Sequence, residues 1–257
     1  MSPPISTLEG GCRVTHMRDG APDVRGTLRA WRQVGRAVGA QAISLRVLEF
    51  SQGLSPGLRN PGCDEVLYVL EGDAEVFING HSHRAESESG IYLRPGETLT
   101  INNPNPRPLV LISSQCPEPA EEPETVAART SPLAQVPPPA GEPIVRLSDR
   151  KSVSTSDRWY RVLVDEEVGS RQVTQFVGSI PPGRAPDHFH TYEEVLFILC
   201  GAGRMWAGAT STEIGAGSCI YLPKRQVHCL ENTGDGDLRL LGVFYPAGSP
   251  SVRYEKE

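Results

Sequence analysis

Nowhere does this chain hold the roughly 18 consecutive apolar residues that a membrane-spanning helix needs. Positive charge is also short: 25 Lys and Arg face 31 Asp and Glu, for a net charge of −6. That balance argues against nucleic acid or an anionic membrane surface as the main partner. Residues 1 to 10 offer neither a basic start nor an apolar core, so no secretory signal is expected. A cytoplasmic location follows as the expectation. The six cysteines, at 12, 63, 116, 200, 219 and 229, include no Cys-x-x-Cys pair. Without an oxidising compartment they read as reduced and structural. Glycine (26) and proline (23) are plentiful instead, which suits many short strands joined by tight turns.

At 257 residues the chain has room for two domains, each large enough to bury a core. Residues 1–40 read as an N-terminal extension. Within it Arg25, Arg29, Arg32 and Arg36 recur at spacings of three and four, with Leu28, Trp31 and Val34 between them. A short helix fits that spacing, although Gly26, Gly35 and Gly39 weaken it. Residues 41–115 turn to strand patterns: 43–50, a buried run at 65–71, 73–78, then 91–93, 99–101 and 109–112. Asn79-Gly80 marks a hairpin turn. His81 and His83 follow that turn with no partner at a ligand's spacing, and read as exposed loop residues. Residues 116–143 hold eight prolines and read as an extended tether that cannot build a core of its own.

The remainder, 144–257, repeats the first half. Glu65-Val-Leu-Tyr-Val-Leu-Glu-Gly matches Glu194-Val-Leu-Phe-Ile-Leu-Cys-Gly, an offset of 194 − 65 = 129. Ile91-Tyr-Leu matches Ile220-Tyr-Leu, and Asn103 matches Asn232, at the same offset. Two tandem all-β units of one type are expected.

The second unit carries the chemistry. His188, His190 and Glu194 stand at even spacing, so an extended strand would present all three on one face. Glu193 and Asp187 have the opposite parity. Two imidazoles and a carboxylate converging suit a borderline or hard divalent metal. Farther on, Gly217, Pro223, His228 and Asn232 mark a second glycine-opened strand, a turn and one more histidine.

These two stretches resemble the two motifs of the cupin family. The first has His-x-His, three residues, a Glu, then six residues to Gly201. The second has a Gly, five residues, a Pro, a His five positions beyond it and an Asn four positions after that. Two positions depart from the pattern. Arg225 stands where a Gly is usual, and Gly183 lies one residue closer to the histidines, but neither is a ligand position.

The resemblance implies two jelly-roll-like β-barrels, with His188, His190, Glu194 and His228 binding one metal in the second. Fe(II) or Mn(II) is favoured, with Ni, Co or Zn open. At the 129-residue offset the four ligands fall on Arg59, Pro61, Glu65 and Leu99, so the first barrel is expected to hold no metal.

Inward parity adds Tyr192, Leu196 and Ile198 to the pocket, with Phe176, Arg204 and Trp206 as wall. Tyr192 and Gln226 are the candidates for orienting a substrate or a metal-bound water. The family resemblance points to a non-haem dioxygenase or related oxidoreductase acting on a small oxygenated or carboxylate-bearing molecule. A metal-dependent isomerase, decarboxylase or lyase uses the same ligands, and a binding protein without turnover is the third reading. Paired barrels in one chain imitate a dimer of single barrels, so a monomer or a homodimer is expected.

Overall fold

In the computed structural model, residues 5–119, 122–132, 141–155 and 157–251 are described. They form four sheets in two barrels, almost wholly β, with four short 3-10 turns. In the first barrel a seven-stranded sheet runs Ile144–Arg146, Ser89–Leu93, Asp64–Glu71, Leu109–Cys116, Leu45–Phe50, Leu28–Val34 and Asp23–Arg25. It faces a second sheet that includes Asp73–Ile78 and His81–Glu86. In the second barrel an eight-stranded sheet centres on Glu193–Cys200, Leu238–Tyr245 and Thr174–Ile180. A four-stranded sheet of Gly183–Arg184, His228–Asn232, Ala202–Ala207 and Thr210–Gly215 closes it.

Side-chain alternation explains why the central strands are apolar on both faces. In Glu193–Cys200, Leu196 and Ile198 enter the interior of their own barrel. Val195 and Phe197 turn the other way, into a core shared with the first barrel. Residues 129 positions earlier do the same: Leu67 and Val69 fill the first barrel, while Val66 and Tyr68 join the shared core. The two large sheets therefore pack back to back through Tyr68, Tyr92, Val110, Phe197, Tyr221 and Val243. Removing a ring such as Phe197, fully buried there, would cost about 3–5 kcal/mol.

Acidic residues next to the repeated glutamates lock this interface from both sides. The Glu193 carboxylate accepts hydrogen bonds from the backbone N–H groups of Gln41 (3.0 Å) and Ala42 (2.7 Å). Asp64 accepts from Tyr92 Oη at 2.6 Å and from Gln172 Nε2 at 3.4 Å. Each barrel thus caps a loop of the other.

Three features differ from the sequence reading. The segment 24–40 holds the strands Asp23–Arg25 and Leu28–Val34 and a single 3-10 turn, Arg36–Val38, not an α-helix. Its arginines only imitate helical periodicity: Arg25 ends one strand, Arg29 and Arg32 lie on the next, and Arg36 opens the 3-10 turn past a bulge. Nor are residues 1–40 a mere extension. Arg13–His16 pairs with Ser218–Leu222 of the second barrel, and Leu28–Val34 pairs with Leu45–Phe50 of the first. In return Ile144–Arg146 pairs with Ser89–Leu93, so the first barrel's sheet extends past residue 143.

The third difference is at the histidine pair. The Asn79-Gly80 turn forms as expected, with positive φ at both residues. His81 and His83, however, open the strand His81–Glu86 and are half-buried, with His83 Nδ1 3.3 Å from Glu142 Oε1. The tether covers them, since a side chain at Gly80 would collide with the Ser131 carbonyl. The tether itself adds a strand, Glu124–Val126, to Gly57–Arg59. Its residues 120, 121 and 133–140 lie outside the described residues.

Candidate metal centre

Three histidines meet inside the second barrel. His188 and His228 face each other across an isolated β-bridge, exchanging backbone bonds of 3.0 and 2.8 Å. His190 is held two residues on, where its carbonyl accepts from Arg225 N at 2.7 Å. The ring centroids lie 5.0 Å (188–190), 4.5 Å (188–228) and 5.2 Å (190–228) apart. One ligand nitrogen from each comes within 4.8 Å of the others.

Backbone carbonyls set the ring states. His188 Nδ1 lies 3.0 Å from Pro186 O, and His228 Nδ1 lies 2.8 Å from Gln226 O. A carbonyl can only accept, so each Nδ1 carries the proton and each Nε2 keeps its lone pair for a ligand role. Burial, and then the neighbouring His188, push His228 down to about 4, so its imidazole stays neutral near pH 7. His190 Nδ1 is buried with no hydrogen-bond partner, while its Nε2 lies 3.2 Å from Glu194 Oε2.

Glu194 is buried at the start of the strand Glu193–Cys200, where the flanking wall is apolar. Its register partner across the sheet is Phe244, and Phe176 leans over Gly242 beside it. A carboxylate buried among rings needs a counter-charge. Three imidazoles and one such carboxylate fit a divalent transition metal, and the orphaned His190 Nδ1 marks the polar capacity still unused.

The three sequence-derived histidines form one group, which Glu194 meets through His190, by a different path from the one the spacing suggested. His188 and Glu194 do not share one strand, because the chain bends at Thr191 and Tyr192 before Glu193 opens the sheet. Past the bend Tyr192 packs against the interior core and stacks between His190 and Phe244, with ring centroids 4.8 Å from each. Gln226 is turned toward the chain's N-terminal segment, and its Nε2 donates to Val227 O at 2.9 Å.

The cavity against the histidines has a volume of about 120 Å³. Phe176 and Leu196 line it as expected, together with Ile180, Leu230 and Leu240. Tyr192, Gln226, Arg204, Trp206 and Ile198 are not among its described lining. Trp206 donates from Nε1 to Glu231 Oε2 at 2.8 Å, under the Arg184 guanidinium. The sequence reading missed Arg158 and Tyr160, both in the wall. The signal was available in the alternation Arg158, Tyr160, Val162 along one strand face.

In the first barrel the ligand positions behave differently. Glu65 is bound by Arg46 Nη2 at 2.6 Å, by Ser113 Oγ at 2.6 Å and by Gln115 Nε2 at 3.2 Å. Arg59, Pro61 and Leu99 supply no ligand set, and among the described residues the three histidines of the second barrel form the one group that could hold a metal.

Comparison with known proteins agrees with this geometry. The family model described as Cupin domain matches residues 176–244. Auxin-binding protein 1 of Arabidopsis thaliana is 30% identical over 86 residues, which is 30% of this chain and 43% of that protein. Protein MJ1618 of Methanocaldococcus jannaschii is 37% identical over 57 residues, 22% of this chain and 46% of that one. The chain thus matches slightly less than half the length of these two relatives. Bacillus subtilis oxalate decarboxylase superposes with a TM-score of 0.73 at 14% identity, over 91% of this chain and 76% of that one. A second structure of that enzyme, described for its Mn(II) centres, gives 0.74 at 14% identity, over 92% and 78%.

Proposed function

We propose that this chain, whose residues 176–244 match the cupin domain model, is a two-domain cupin whose second barrel is a metal-dependent enzyme site for a small organic substrate. His188, His190, His228 and Glu194 would hold one divalent transition metal. The observation that carries this reading is the convergence of three imidazoles beside a carboxylate with an apolar surround. A divalent ion bound there supplies Lewis-acid charge to a substrate oxygen. The chain's own groups prepare the site. Pro186 O and Gln226 O fix two imidazoles with Nε2 inward, and burial keeps His228 unprotonated. Phe176, Leu196 and Leu240 exclude water from the reacting end of the cavity.

Within that reading the chemistry is a dioxygenation or related oxidation. The likeness to oxalate decarboxylase, a likeness of fold, favours a second reading, in which a carbon–carbon bond is cleaved without net oxidation. Oxygen uptake in proportion to product supports the first; carbon dioxide release without oxygen uptake supports the second. The first test is elemental analysis of protein purified without added metal or chelator. Roughly one transition metal per chain is expected, and its loss in His190→Ala with the fold intact. A chain that takes up neither Fe(II) nor Mn(II) on reconstitution would overturn the enzyme reading.

A further inference from the structure

One charged group in the cavity wall stands outside the metal centre. The strand Arg158–Val164 alternates, and its inward face carries Arg158, Tyr160 and Val162. Tyr160 and Val162 pack against the interior core, and Arg158 and Tyr160 line the cavity with the histidines. The Arg158 side chain is only 17% exposed. Its Nε donates to Asp157 Oδ1 at 3.0 Å, and Asp157 is 59% exposed. That contact engages one of the five N–H donors of a guanidinium.

The first barrel shows what this position ordinarily takes. The strand Leu28–Val34 has the same length and the same late register shift as Arg158–Val164. Its first residue is Leu28, buried in the first barrel's interior. A cation therefore stands where the architecture accepts a leucine. Holding a guanidinium there costs desolvation and side-chain entropy, and a half-exposed aspartate returns little of either. Phe176, Ile180, Leu196, Leu230 and Leu240 make the nearby wall apolar.

We propose that Arg158 anchors the substrate through a carboxylate, so that the substrate class is a small carboxylic acid with an apolar body. The planar fork of the guanidinium matches a carboxylate edge to edge. The apolar body then lies against Phe176 and Leu240, which leaves the opposite end toward His188, His190 and His228. The fate of that end rests on the reading of the metal centre; the capture of the carboxylate does not.

The test is titration calorimetry on the full chain, with metal content measured beforehand. The probes are isobutyrate and benzoate, their uncharged primary amides, and inorganic phosphate. Carboxylates should bind at millimolar concentration or better, and their amides about tenfold more weakly. Arg158→Gln should weaken the carboxylates by about tenfold while metal content and melting temperature hold, and Arg158→Lys should restore part of the loss. The same Arg158 dependence should persist after chelation.

Equal binding of acid and amide, tighter binding of phosphate, an Arg158→Gln protein that binds like the parent, or no carboxylate binding at all would each overturn the proposal. Arg158-dependent binding in a chain that takes up no metal would sink the enzyme reading alone. One metal per chain without Arg158 dependence would sink this proposal alone.

Discussion

Phe176 and Arg46 occupy the same place in the two barrels. Phe176 pairs across its sheet with Gly242, and Arg46 pairs with Ser113, which lies 129 positions before Gly242. Beside them, Glu194 pairs with Phe244 and Glu65 with Gln115, again 129 positions apart. Arg46, Ser113 and Gln115 surround Glu65 with donors. Phe176, Gly242 and Phe244 surround Glu194 with none. One repeat thus neutralises its glutamate with a guanidinium, and the other sets its glutamate 3.2 Å from His190 Nε2, beside the histidine group.

Transplanting the first arrangement into the second should therefore expel the ion. The double variant Phe176→Arg, Gly242→Ser is expected to lose its metal while all four ligands remain. Elemental analysis with far-ultraviolet circular dichroism checks both halves of this. Full metal content in the folded variant would refute the equivalence.

The reverse experiment probes stability. Arg46→Met leaves Glu65 buried beside hydroxyl and amide donors with no cation, and should destabilise the chain by roughly 3–5 kcal/mol. Adding Glu65→Leu should recover most of that loss, because the pair can be replaced by packing. Urea denaturation of the two variants measures the difference.

Neighbouring glutamates should separate cleanly. Glu193→Ala removes the acceptor of two backbone N–H groups at Gln41 and Ala42, and should lower stability by about 1–3 kcal/mol without touching metal content. Glu194→Gln should do the opposite, losing metal with little change in the metal-free stability. Melting curves recorded with and without chelator test both.

Acid should act through His228 in the metal-free protein. Its folded-state pKa is near 4 against an ordinary value of 6.5, so the unfolded chain binds the proton first. Stability from this group is constant above pH 6.5 and falls as pH drops from 6.5 toward 4, by at most about 3 kcal/mol. In His228→Gln that part of the slope should vanish. An unchanged pH dependence of the urea midpoint would contradict the burial argument.

Much of this was legible in the residues. The 129-residue offset gave two barrels of one type because both copies keep the same two-faced apolar strand, Val66 with Leu67 and Val195 with Leu196. The histidines were legible because ligand chemistry tolerates few substitutes. The inward place of Tyr192 was legible, but its stacking on His190 was not, because the chain bends just before Glu193. Leu28–Val34 was obscured by arginines that only imitate helical periodicity. The partner of Glu65 could not be read at all, since Arg46 reaches it from another strand and no local pattern records that pairing. Arg158 was hidden for a simpler reason: a lone arginine at a strand's first residue looks like any solvated end.

The crossing of edge strands sets a timetable for this chain. Arg13–His16 finds its place only against Ser218–Leu222, about two hundred residues downstream. As the polypeptide leaves the ribosome, its beginning has only the short pairing with Ser6–Thr7 until nearly all the rest has emerged. The first barrel likewise gains its last edge only when Ile144–Arg146 is made. Cutting the chain in its proline-rich tether would then separate each barrel from a strand it borrows, so the halves mature as a single unit.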